Sequence, residues 1–306
     1  MAKKSVITAP KIIKVAGLAR PLSQEKARSG IAALNESIVG RHERLSKERR
    51  RASRESLKAM APLLKLMRSD KGAHKAVQNL RRMAEGRSKS KLLRPAVLQK
   101  VEQHTRAGSI INFITPPYDL SWGANSPQND TTWGSSVVEQ LKVSNSVDAY
   151  FSTTMNVRSG GNAWASAGLG TIFVPAGQST TWVRIGAAAP YTWQYSDWSG
   201  GSPAHSNGFI AIYVQSFDRS GNNPKDELDR IITVFGDDVT LYDSHSDEQG
   251  GYYPNDTYFM ADSSRYYLIW AWCSTFGDGS ADQVFGSTAY ASINVSLPYM
   301  VIEQWT

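Results

Sequence analysis

All the aromatic residues of this 306-residue chain, 9 Trp, 13 Tyr and 9 Phe, lie beyond position 107. Charge divides at the same place. Residues 1–107 carry 27 Lys and Arg against 8 Asp and Glu, a net of +19, and residues 108–306 carry the other 7 basic and 19 acidic residues, a net of −12. The formal charge of +7 is thus the sum of two opposite halves. A joint change of charge and ring content marks a domain boundary better than any single Gly or Pro, and it falls near Arg106-Ala107-Gly108-Ser109. The expectation is a basic, aromatic-free segment over 1–107 and an acidic, aromatic-rich domain over 108–306.

The hydrophobic share of 41% and charged share of 20% are those of a globular chain. One cysteine, Cys273, excludes an intramolecular disulfide and an all-cysteine metal site. No uninterrupted apolar run reaches the roughly 18 residues of a membrane helix, so the expectation is a soluble protein with no membrane span. Lysines interrupt the apolar stretch of the N-terminus, which argues against a secretory signal; a basic, acid-free start can also resemble a mitochondrial transit segment. Residues 1–22 are expected to be a disordered basic tail, and the chain cytoplasmic or associated with a virion or assembly.

From Ser23 onward Ala, Leu, Lys, Arg and Glu favour helix. Ile31, Leu34, Ile38 and Leu45 recur at helical spacing, as do Leu57, Met60, Leu64 and Met67, with Pro62 expected to kink or interrupt the second set. A further helix is expected to start at Ser69-Asp70, whose short side chains can cap it, and to end before Gly86; a last one is expected from Pro95 to about Arg106. Between the two apolar sets, Arg44, Lys47, Arg51, Arg54 and Lys58 are spaced three, four, three and four, which makes them one stripe about 21 Å long on a helix. Like charges at these spacings repel by a few tenths of a kcal/mol per pair, a cost that an anionic partner offsets. Nucleic acid is the polyanion such a segment would commonly meet, contacted through phosphates, since no ring precedes position 108 to stack on bases. A solvated face balanced by Glu43, Glu48 and Glu55, or by the acidic domain, accounts for the stripe equally well.

After Gly108 the pattern becomes alternating, with about nine candidate strands from Val147 to Leu297 and a further one at Met300–Trp305. The fold class expected is α+β: a basic helical segment followed by an antiparallel β-sandwich, with a jelly roll as one form of it. In Tyr266–Cys273 the two alternating sets are both apolar, so both faces need cover and the strand should be central. Trp122, Trp133, Trp164, Trp193 and Trp198 sit in or beside polar, Gly-rich stretches. Trp193, Tyr195 and Trp198 with Asp197 form the densest group, a candidate recognition surface for a sugar or a receptor, though packing between the sheets would use the same rings.

Signatures of catalysis are missing: no GxxxxGK[ST], HExxH, GxSxG or paired CxxC. Gly168-Leu169-Gly170 leads into a strand where a dinucleotide site needs a helix. Asp243, His245 and Asp247 read as a polar loop without a nucleophile, and Cys273 as a small core residue. Acidic loops at Asp237-Asp238, Asp243 with Asp247 and Glu248, and Asp278 with Asp282 could hold calcium, but none has the acid spacing of a helix-loop-helix site, and an acidic surface explains them. No other cofactor is implied. The Asn-x-Ser/Thr sequons at Asn35, Asn129, Asn255 and Asn294 carry no information without a secretion signal.

In layout, a basic aromatic-free arm followed by an acidic sandwich, the chain resembles the coat proteins of small spherical viruses. That resemblance implies an arm that neutralises packaged nucleic acid and a sandwich that assembles with copies of itself. The function expected is therefore that of a non-enzymatic structural protein binding a polyanion; the alternative is a carbohydrate- or receptor-binding sandwich (lectin, adhesin or toxin cargo) with a helical assembly or delivery segment.

Overall fold

The computed structural model describes residues 24–73, 75, 76, 78, 79, 109–126, 129–131, 134–158, 161–177, 179–239, 243–254, 256–279 and 286–305. The expected N-terminal tail, the helix from Pro95, the boundary residues Arg106–Gly108, Trp133, Asn255 and Asp282 lie outside these.

The fold is α+β: a helix followed by antiparallel strands in two sheets. The helix, α1, runs unbroken from Gln24 to Ser69, 46 residues, or about 69 Å at 1.5 Å per residue. Pro62 lies within it; of the kink or interruption expected there, the interruption does not occur. Pro62 itself is exposed, while Leu57, Met60, Leu64 and Met67 gather on Trp198, so packing on the opposite side holds the helix through the missing N–H. The next helical turn starts at Lys71 as expected, where Asp70 Oδ1 accepts from the N–H of Gly72 at 2.7 Å and of Ala73 at 3.2 Å.

Among the described residues fourteen strands follow: β1 (Ser109–Ile114), β2 (Leu120–Asn125), β3 (Asn129–Thr131), β4 (Gly134–Ser144), β5 (Tyr150–Arg158), β6 (Gly161–Phe173), β7 (Thr180–Ser199), β8 (Ala204–Asp218), β9 (Lys225–Val239), β10 (Ser244–Pro254), β11 (Thr257–Asp262), β12 (Arg265–Gly279), β13 (Ser287–Ser296) and β14 (Tyr299–Trp305). One sheet is ordered β2-β6-β12-β8-β9. The other runs β1-β14-β7-β13-β5-β4-β3, with β10 and β11 also paired to β7. The surplus over nine strands comes largely from polar or Gly-rich stretches, β3, β4 and β10 among them, that carry weak alternation but complete the ladder of a neighbour.

Between the sheets lies the main core, with Phe151, Leu169, Ile212, Ile269, Ile293 and Ile302 at its centre. β12 is the middle strand of the smaller sheet, and its two apolar faces are both covered. Tyr267, Ile269, Ala271 and Cys273 point between the sheets. Tyr266, Leu268, Trp270 and Trp272 point outward, where Ile31, Leu34 and Ile38 of α1 lie on them together with Trp122 and Trp164. Gly30 permits this approach: a Cβ there would stand 2.0 Å from Leu268 Cδ1. The change of composition near residue 107 is therefore not an edge of packing, because part of the basic segment completes the cover of the acidic sandwich.

Candidate functional site

At about 100° per residue, the docked residues Ile31, Leu34, Ile38 and His42 cluster on one side of α1, and Arg44, Lys47, Arg51, Arg54 and Lys58 centre about 180° away. Burial agrees. The first four are buried and the five cations are exposed. Lys47, Arg51, Arg54, Lys58 and Glu55 line a shallow depression of about 340 Å³. Among the described residues the acidic partner of the stripe is Glu55, one turn from Arg51 on the same helix, with Oε1 3.1 Å from Arg51 Nε. That pair is largely exposed, so it offsets little of the repulsion among five like charges.

Different cations engage the acidic sandwich. Arg41 pairs with Asp229 of β9, and Arg49 with Asp238 at 2.8 Å. His205 lies 2.9 Å from the same Asp238 carboxylate. The His205 hydrogen bond, and after it the charges of His205 and Arg49, hold that carboxyl down at about 2. His42, between these ion pairs, is fully buried: its ring stacks on Trp164 at 4.5 Å, and its Nε2 lies 3.2 Å from Ser166 Oγ and 2.9 Å from Ser274 Oγ. Burial first, and the Arg41 charge second, push its pKa down to about 3. Sequence spacing had not singled out Arg41, His42 or Arg49. Their signal was phase, since each falls on the flank or centre of the side that carries Ile31, Leu34 and Ile38.

The proposed aromatic recognition surface is not one. Trp193, Tyr195, Asp197 and Trp198 belong to the single long strand β7, which merges two expected strands and the intervening loop and pairs along this stretch with β10 and β13. Trp193 is buried between the sheets, stacked 5.8 Å from Tyr195 and 5.1 Å from Phe235. Trp198 is buried beneath Leu64 of α1. Asp197 is wholly buried, accepts from Ser206 Oγ at 2.7 Å, and is shifted well upward, chiefly by desolvation. Polar neighbours on the alternate positions gave the segment the look of a loop; of these Gln194 and Ser196 are buried too. Trp122 and Trp164 lie under α1, not on loops.

The acidic groups do not converge into a metal centre: among the described residues no three His, Cys, Asp or Glu side chains are placed to hold an ion. Asp237 and Asp243 instead hold the two nitrogens of His245, at 3.0 and 3.2 Å, and the Asp237 hydrogen bond foremost raises the pKa of that imidazole. Cys273 is buried opposite Thr153 with its thiol pushed up to about 12 by desolvation, the state of an inert core residue. Among the described residues no helix is long and apolar enough to cross a membrane.

No family model and no curated protein matches the chain. Solved structures give distant likenesses. The C-terminal family 22 carbohydrate binding module of Clostridium thermocellum Xyn10B is 14% identical over 55% of this chain and 83% of its own, with a TM-score of 0.19. A structure of promiscuous carbohydrate-binding modules from the beta-sandwich superfamily is 13% identical over 64% and 58%, TM-score 0.18. One of infectious bursal disease virus, Gx strain, is 8% identical over 70% and 42%, TM-score 0.17. At these values the chain is assigned to no family, and its function is argued from its own surfaces.

Proposed function

We propose that this is a non-enzymatic structural and binding protein whose helix α1 holds a polyanion, nucleic acid, on its solvent-facing cationic stripe. One observation carries the proposal: α1 spends Arg41 and Arg49 on the sandwich and turns Arg44, Lys47, Arg51, Arg54 and Lys58 away from it, with Glu55 as their acidic neighbour. Among the described residues no carboxylate of the acidic domain pairs with the stripe, which supports an external anion as its partner. Contacts would be to phosphates and would read no sequence, because no ring accompanies the stripe. The sandwich would serve assembly or surface recognition, in keeping with the capsid-like layout. Of the alternative, a glycan- or receptor-binding sandwich, the group around Trp193 no longer supplies the surface.

The test uses the full chain and a variant with all five cations changed to Gln. With about four phosphate contacts, log K for duplex should fall against log salt with a slope near −3 to −4. The Gln variant should bind unrelated sequences equally weakly and with a shallower slope. No binding by the unaltered chain at about 50 mM salt, where counterion release is strong, disproves the proposal.

A further inference from the structure

Five large exposed apolar side chains, Ile111, Phe113, Trp182, Tyr258 and Met260, fall on one face of the larger sheet. Register establishes this. Ile111 lies opposite Glu303, Glu303 opposite Arg184, and Arg184 opposite Tyr258, a row across β1, β14, β7 and β11. Phe113 lies opposite Val301, and Trp182 opposite Met260. Directly opposed side chains project to the same side, and the intervening Val183, Ile185, Phe259, Met300 and Ile302 fill the core, so the first set faces outward. Phe113, Trp182 and Met260 are 53%, 47% and 50% exposed. Phe113 stacks on Tyr299 at 4.7 Å, and Tyr258 sits 5.8 Å from Trp305.

At the middle of these rings Arg184 is fixed between two carboxylates, with Nε 2.8 Å from Glu303 Oε2 and Nη1 3.2 Å from Asp256 Oδ2. Arg184 and Glu303 are nearly buried, whereas Asp256 is half exposed.

We propose that this face binds a neutral saccharide chain. A pyranose presents apolar C–H faces and a rim of hydroxyls. Rings held open on the sheet face accept the first. The half-exposed carboxylate of Asp256, already held by Arg184, accepts hydrogen bonds from the second with little further ordering on binding. The charge of Arg184, Glu303 and Asp256 disfavours the other occupants. One cation against two carboxylates repels a polyanion. A second copy of the chain or a lipid surface would desolvate the half-exposed carboxylate of Asp256 within the contact, where protein interfaces are depleted of charge. This site is distinct from the stripe on α1 and goes beyond the polyanion proposal.

The experiment screens the full-length protein on an array of neutral oligosaccharides, with calorimetry on those retained. Trp182→Ala and Tyr258→Ala should each weaken binding by about tenfold or more with little change in Tm, since both rings are already solvent-facing. Trp182→Phe should restore part of the loss. Retention of no oligosaccharide at about 1 mM, near the weak limit of specific binding, overturns the proposal. So does binding that both Ala variants leave unchanged, or a concentration-dependent oligomer that Trp182→Ala dissociates in the absence of glycan binding. Nucleic-acid affinity measured on the same variants should be unaltered, so that failure at this face and failure at the stripe remain separable.

Discussion

The two sheets have outer faces of similar chemistry and opposite fates. On the smaller sheet, Trp122, Trp164, Tyr266, Trp270 and Trp272 form an aromatic face that α1 covers with Ile31, Leu34, Ile38 and His42. On the larger sheet, Phe113, Trp182, Tyr258 and Met260 form an aromatic face that stays open. The difference lies in the polar groups. Under α1 the contact is largely apolar, with His42 Nε2 and the hydroxyls of Ser166 and Ser274 within hydrogen-bonding distance of one another, and Arg41 and Arg49 close the rim with Asp229 and Asp238. The open face keeps, beside the nearly buried pair Arg184 and Glu303, the half-exposed carboxylate of Asp256, which a dry apolar cover would desolvate. Aromatic content alone therefore does not decide which face of a sandwich is core.

The contrast breaks most visibly if α1 is prised off. Leu34→Asp puts a charge at a fully buried point of the helix contact and should cost about 3–5 kcal/mol or more of docking, a buried charge without a partner. Proteolysis should then cut within residues 28–67, which the unaltered protein should protect along with the sheet, and a dye specific for exposed apolar surface should bind. Protection retained in the variant would mean that α1 docks by other contacts.

Equivalent truncations on the two faces sharpen the contrast. Trp270→Ala, beneath α1, should destabilise by about 3–5 kcal/mol. Trp182→Ala, on the open face, should stay within about 1 kcal/mol. Equal losses in chemical denaturation would show that the open face is as tightly packed as the covered one.

Next in size is a pH effect confined to the covered face. His42 is neutral when docked, with its pKa pushed down from 6.5 to about 3 by burial and by Arg41, so unfolded chains bind the extra proton first. Its contribution is full above about pH 6.5 and is lost as pH falls toward 3. Denaturation between pH 7 and 4.5 should show this slope, and His42→Leu should flatten it. The smallest effect belongs to the rim: Arg49→Ala should cost about 0.2–1 kcal/mol, the range of exposed ion pairs, and less at high salt.

Much of this was legible from local pattern. Period-two runs marked most of the large-residue strands, and the apolar alternation on both sides of Tyr266–Cys273 placed that strand at the centre and required a cover for each face. Phase along the helix put Ile31, Leu34 and Ile38 together and the five cations in one line. The group Trp193, Tyr195, Asp197 and Trp198 failed for a reason in the same physics. Its alternate residues are Gln and Ser, which read as loop, yet in a sheet paired on both sides they are buried and hydrogen-bonded, as Gln194 is to the Tyr290 hydroxyl at 2.9 Å.

What the sequence determined by itself is therefore periodic and additive: helix before sheet, a stripe of like charge, a sandwich rich in rings, and the separation of +19 from −12. Which ring is covered and which cation is paired depends on contacts between residues far apart in the chain, such as Arg41 with Asp229, Arg49 with Asp238 and Arg184 with Glu303. Those pairings follow from register across strands and from where one helix comes to rest. Tertiary structure alone decides them, because burial energy depends on what lies opposite a side chain and not on what precedes it.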